Sequence, residues 1–245
     1  MEQWLESVEV ALRNIRSQVR FFFRDDDAGW HDDRLFKLMD CFSAFAMPLD
    51  LAAIPQAFDA QSAALLRNRI EASEQRIGIH QHGFRHLNHQ NEGRKCEFGS
   101  YRSYEQQKFD IWMGQCQLCD YFGYGVDQIF TPPWNRCTQD TVEVLIDLEF
   151  ASISRDETAI PLNTGRLVEL PVNVDWFKKK RGMRLQPIEI GKLIASAIWE
   201  KSAIGVMLHH EHMDQKERAA LSELLALLDS SSNVECVSMR DLRVF

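Results

Sequence analysis

The chain has 245 residues, 45% of them hydrophobic, and a net charge of −8 with no long basic block. That supplies one sizeable core, and the acidic balance argues against nucleic acid as a partner. No apolar run reaches membrane-spanning length and residues 1–6 carry no apolar signal core, so no membrane span is expected and the expected location is the cytoplasm.

Apolar runs alternate with amphipathic segments along the whole chain. In order, the pattern predicts a helix over 2–17, a strand over 19–24, a helix over 33–45, a strand over 48–54, a helix over 61–73 and a strand over 76–80. It continues with a helix over 103–122, strands over 127–131 and 150–154 around a helix over 138–149, and a strand over 167–174. A helix over 187–201, a strand over 204–209, a helix over 214–229 and a strand over 234–238 complete it. The strands are short and rich in Val, Ile, Leu and Phe without strict alternation, as strands covered on both faces are. Pro187 suits a first helical turn, and Asp214 with Glu217 has capping-box spacing. The β-α-β-α rhythm predicts an α/β fold, a distorted (β/α) barrel of about seven parallel strands, with an open doubly wound sheet as the alternative. No linker or repeat divides the chain, so residues 1–245 are read as one domain. Asp25-Asp26-Asp27-Ala28-Gly29 follows the first strand where a nucleotide-binding sheet would carry a glycine-rich loop.

The residues with chemistry stand just past strand ends. These are Asp25–Asp27, His80-Gln81-His82 with His86, Thr131-Pro132-Pro133-Trp134, Asp175-Trp176, and His209-His210-Glu211-His212. In a parallel barrel such positions share one mouth. Two histidines four apart can point the same way from one helical turn and hold a cation, and a divalent metal usually takes a third ligand such as a carboxylate. Three adjacent aspartates are costly unless a cation or solvent relieves them. His80 is a candidate support for the pair, and His89 reads as surface. Pro133 and Trp134 form a rigid aromatic turn suited to packing or to a substrate wall. His209, ending a buried-looking strand, suits general-acid work; His210 and His212 are expected to face elsewhere, because direction alternates in an extended segment. Cys116-x-x-Cys119 reads as reduced thiols, and Lys178-Lys179-Lys180-Arg181 as a solvated loop or a contact for an anionic substrate.

The ordered set resembles the polysaccharide deacetylase family (carbohydrate esterase family four): an Asp-Asp strand end, H-G-x-x-H, a proline–aromatic turn, D-W and a terminal L-H, from about Phe21 to His210. The resemblance implies a metal-dependent hydrolase that removes N- or O-linked acetyl groups from a sugar or glycan. It implies Asp26 as general base, with Asp27, His82 and His86 as ligands of one divalent ion. A one-residue shift would make the pair Asp25 and Asp26. It further implies His209 as general acid and Asp175 and Trp176 beside Pro133 and Trp134 at the substrate. Such a ligand set suits zinc, and also accepts cobalt, nickel or other divalent ions. Thr131 stands where the family carries an arginine that holds the base, so Arg24 or Arg136 would have to substitute. Two further readings are a hydrolase of a non-sugar C–N amide bond on the same barrel and a catalytically silent glycan-binding protein.

Overall fold

Val19–Ala28, the first strand (β1), is the axis of the molecule, and its alternation decides what faces where. The computed structural model describes residues 3–74 and 76–243. Phe21 and Phe23 enter the core beneath the helices, whereas Phe22 joins Ile129, Leu170 and Met207 in a separate interior cluster. Arg24 and Asp26, two and four residues past Phe22, therefore face the interior, and Asp25 faces the helices.

The other strands are β2 (Leu49–Ala53), β3 (Ile77–His82), β4 (Val126–Thr131), β5 (Ser152–Ile153), β6 (Val168–Glu169), β7 (Val174–Asp175), the hairpin β8 (Lys179–Lys180) and β9 (Met183–Arg184), β10 (Ala203–His209) and β11 (Val234–Cys236). The main sheet runs β6-β5-β4-β3-β2-β1-β10-β7, with β11 on the start of β1, and its pairings are parallel. The helices α1 (Glu6–Asn14), α2 (Asp32–Ser43), α3 (Ala60–Ala72), α4 (Tyr104–Phe122), α5 (Gln139–Asp147), α6 (Pro187–Glu200) and α7 (Gln215–Asp229) alternate with them. Apolar faces of all but α5 enter the main core; α5, with Ile111 of α4, covers a second cluster built on Phe98, Phe130 and Leu145, while Leu118 and Phe122 of α4 join the main core.

The expected strand over 167–174 is two short ones, because this segment crosses from one end of the sheet to the other. The Leu170 and Val172 amides bond to the carbonyls of Ile153 and Arg155, and the Asn173 amide then bonds to that of Gly205. The Asn173 side chain accepts from the Gly205 amide at 2.9 Å. A Cβ on Gly205 would lie 2.3 Å from the Phe22 ring and 2.7 Å from the Pro171 carbonyl, so only glycine admits the crossing. The sheet is thus curled and barrel-like, as expected. The first helix is shorter than 2–17, and residue 2 lies outside the described residues. Among the described residues no helix is long and apolar enough to cross a membrane.

Candidate metal centre and its surroundings

Asp26 and Asp27 reach the same pocket because the backbone breaks alternation between them. The β1–β2 register shifts between Asp25 and Ala28, and Asp27 has φ 72°. A non-glycine residue with left-handed backbone is uncommon and marks an over-determined position. Asp25 points the other way. Its carboxylate accepts from the His210 amide at 2.9 Å and pairs with His210 Nδ1 at 2.6 Å, while His210 Nε2 lies 2.7 Å from the Trp30 carbonyl. Both residues are fully buried. Asp25 is therefore turned away from the pocket that Asp26 and Asp27 share and ties β1 to the turn after β10.

Asp26 is held by Arg24. The guanidinium Nε donates to Oδ1 at 2.7 Å and Nη2 to Oδ2 at 2.9 Å, a two-point grip with geometric as well as Coulombic content. Arg24 has no exposed surface, and its remaining N–H groups reach Ser154 Oγ at 2.7 Å and Asn135 Oδ1 at 2.8 Å. The arginine missing at Thr131 is thus supplied from β1, two residues before the carboxylate it holds. Arg136 instead donates to the Lys95 carbonyl.

His82 is the last residue of β3 and His86 lies in the following loop, so the expected helical turn is absent. The two rings converge because Gly83 (φ 57°) and His86 (φ 55°) both take left-handed backbone. A Cβ on Gly83 would fall 2.2 Å from Glu97 Oε2 and 2.5 Å from Pro133 Cγ. Buried Glu97 accepts from the amides of Phe84 at 3.2 Å and Arg85 at 2.7 Å and pins the loop. His82 Nδ1 lies 2.9 Å from the Thr131 carbonyl. Donation there leaves the Nε2 lone pair directed at Asp27, the arrangement metal-binding histidines use. His80 Nε2 bonds the Thr131 hydroxyl at 2.9 Å, so Thr131 and His80 act as a scaffold behind His82.

The His82 and His86 Nε2 atoms lie 3.2 and 3.3 Å from Asp27 Oδ1, and the three potential ligand atoms lie within 4.8 Å of one another. Asp27 Oδ1 is buried and accepts no hydrogen bond. Two imidazole nitrogens meeting at a buried, unsatisfied carboxylate oxygen fit a divalent cation with N/O preference. Burial and the charge of His82 push His86 down to about 4. Burial opposes protonation of His82 too, but its contact with Asp27 and the charge of Asp26 raise it. Burial would raise Asp26, yet Arg24, His82 and His209 hold it below the usual carboxylate range.

His209 is the register partner of Asp26 across β1 and β10, and its Nδ1 is buried without a partner. Asp175 reaches the same neighbourhood. Burial raises its carboxyl, and the Phe177 amide and the charge of His209 counter that. Trp134 (φ 57°) lies 4.4 Å from His86, centroid to centroid, and Trp30 lies 5.3 Å away on another side. The other expected substrate-lining residues need correction. Pro133 is buried beneath Gly83. Trp176 is turned out of the pocket; it packs edge-on to Trp4 at 5.9 Å and donates to Glu217 at 2.8 Å. Phe177 takes the place beside the histidines, 6.5 Å from His209 and 5.4 Å from His212. His212 is near the site because residues 210–212 form a 3-10 turn rather than extended chain, whereas His210 faces away as expected. Lys179, Lys180 and Arg181 are exposed on the β8–β9 hairpin. Cys116 and Cys119 are free thiols on α4.

No family model matches the chain, and no curated protein matches it. Solved structures do. A candidate polysaccharide deacetylase from Mycobacterium smegmatis aligns at 15% identity over 94% of this chain and 90% of that one, with TM-score 0.69. A family 4 acetyl xylan esterase from Clostridium thermocellum, in complex with cobalt, aligns at 15% identity over 91% and 89%, with TM-score 0.60. A carbohydrate esterase family 4 pseudoenzyme from Bacillus anthracis aligns at 11% identity over 93% and 66%, with TM-score 0.63. These likenesses establish the polysaccharide-deacetylase fold.

Proposed function

We propose that the chain is a metal-dependent hydrolase that removes N- or O-linked acetyl groups from a sugar or glycan, with residues 1–245 as one catalytic domain. The observation that carries this is the convergence of Asp27, His82 and His86 with Asp26 gripped by Arg24 and His209 in register beside it. Asp27, His82 and His86 would hold one divalent ion, zinc before cobalt or nickel. When bound, it would polarise the acetyl carbonyl and lower the pKa of a water.

Asp26, kept ionised by Arg24, has lone pairs left on both oxygens to take the proton of that water. His209, opposite Asp26, returns a proton to the departing amine or alcohol. Trp134 and Trp30, flanking His86, offer flat apolar walls that a sugar ring can cover. Six free thiols fit a reducing compartment such as the cytoplasm. The silent-protein reading draws on the missing arginine at Thr131. Arg24 weakens it, because the base candidate has its guanidinium partner after all.

The test is acetate release by the zinc- or cobalt-loaded protein from acetylated chito- and xylo-oligosaccharides, with cyclic amides in parallel. Asp26→Asn and His209→Ala should each lower turnover by about 100-fold or more at unchanged metal content. Acetate release unaffected by Asp26→Asn would overturn the assignment; turnover of the cyclic amides alone would move it to the non-sugar reading.

A further inference from the structure

Although the net charge is −8, the rim of the pocket on the His86 side is cationic. Residues 92–98 run alongside residues 134–137: Phe98 bridges Cys137, Cys96 Sγ donates to the Arg136 carbonyl at 3.3 Å, and Arg136 Nη1 donates to the Lys95 carbonyl at 2.9 Å. This pairing sets the Lys95 ammonium 5.8 Å from the centre of the Trp134 ring, whose other neighbour is His86 at 4.4 Å. Arg85 immediately precedes His86 and lies over Phe84 at 5.1 Å.

Arg85, Arg94 and Lys95 are exposed and Arg136 is half-buried. Among the described residues none of the four pairs with a carboxylate, although Arg102 pairs with Asp110 at 2.6 Å. Within the segment, Glu97 is turned inward and committed to the Phe84 and Arg85 amides. Exposed Glu92 forms no ion pair among the described residues. Burial and the charge of Arg94 pull Arg136 below its ordinary value, as expected for guanidinium groups crowded without a counter-ion. Solvated cations scattered over a surface would be unremarkable. Here Lys95 stands over Trp134, an aromatic wall that also touches a candidate metal ligand, and the Arg136 guanidinium is bonded to the Lys95 carbonyl.

We propose that Lys95, Arg94 and Arg136 form an anion subsite at the edge of the pocket, and that the acetylated substrate carries a phosphate or carboxylate group held there while its sugar ring lies against Trp134. The proposal rests on the deacetylase reading for the identity of the substrate, but the subsite is tested by binding alone. The purified metal-loaded protein, as wild type and as Lys95→Ala/Arg136→Ala, is titrated calorimetrically with three probes. N-acetylglucosamine is neutral, N-acetylglucosamine 1-phosphate carries a phosphate, and N-acetylmuramic acid carries a carboxylate. Acetate release is measured on the same samples.

One anionic probe should bind at least tenfold more tightly than the neutral sugar. The preference should shrink toward unity in the double variant and weaken as salt rises from 50 to 500 mM. The preferred probe identifies the group as phosphate or carboxylate. Equal binding of all three probes, or an equal loss for all three in the variant, would overturn the subsite. Retained discrimination without acetate release from any probe would support the subsite and count against the deacetylase reading, so the two failures are distinguishable. Melting temperatures of wild type and variant show that a loss is not one of folding.

Discussion

Replacing Arg24 by methionine removes the only guanidinium that grips Asp26 among the described residues. Arg24 and Asp26 sit with essentially no exposed surface, 2.7 and 2.9 Å apart at two points. A buried carboxylate stripped of its partner costs about 3–5 kcal/mol. That is a large share of the roughly 5–15 kcal/mol that holds a domain together. Urea unfolding in chelator-containing buffer at pH 7 should report that loss. The paired variant Arg24→Met/Asp26→Asn should recover about 2–3 kcal/mol relative to the sum of the single changes, because the two sites share one interaction. The conservative Arg24→Lys keeps the charge but not the fork and should fall between. A second readout follows from the same geometry. With Arg24 gone, burial dominates Asp26, and the acid limb of the pH–rate profile should move upward by about 1–3 units. A cost below about 1 kcal/mol for Arg24→Met, with full additivity in the pair, would refute the reasoning.

Gly83→Ala places a Cβ 2.2 Å from Glu97 Oε2 on a residue with φ 57°. Left-handed strain and overpacking together should cost about 2–5 kcal/mol, visible in urea unfolding and as weaker zinc binding; an unchanged protein would mean the His82–His86 loop is not fixed as described. Asp25 opposes burial and lifts His210 to about 9. A group raised in the folded state contributes stability that is complete below its unfolded pKa and lost as pH climbs through the folded one. Melting temperature should therefore fall between pH 6.5 and 9, by up to about 3 kcal/mol of stability, and His210→Asn should flatten that slope. Asp50, buried near Asp127, is pushed up to about 7 by burial. A carboxyl raised in the folded state favours the protonated form, so stability is lost as pH rises from about 4 to 7. Asp50→Asn, which still accepts the Met239 amide that now bonds Asp50 at 2.9 Å, should raise the melting temperature above pH 7 and change it little at pH 4; the reverse order would refute this.

The strand and helix pattern was legible because strands buried on both faces read as short apolar runs and helices packed on the core keep a 3.6-residue hydrophobic period. The site was legible as a set of strand ends, since parallel strands must deliver their C-terminal residues to one mouth. Three features were not. Alternation alone would send Asp26 and Asp27 to opposite faces, and the bulge with φ 72° at Asp27 has no strong local signature in Asp25-Asp26-Asp27-Ala28. The loop conformation of His82–His86 depends on Glu97, eleven residues downstream of His86, which no spacing rule connects to it. At Asp175-Trp176-Phe177 the side chain that faces the histidines is decided by the partners of Trp176, which are Trp4 and Glu217, far away in sequence. Arg24 could be found in the sequence only as one of two candidates; two-residue spacing on a strand, which places Arg24 and Asp26 on one face, is the signal that favours it over Arg136.

Elemental analysis of the purified protein after equilibration with zinc and removal of loosely held metal tests the ligand assignment most directly. Wild type should retain about one divalent ion per chain, and His82→Ala/His86→Ala should retain almost none while still folding. A wild type that holds no ion, or a double variant that keeps a full equivalent, would contradict it.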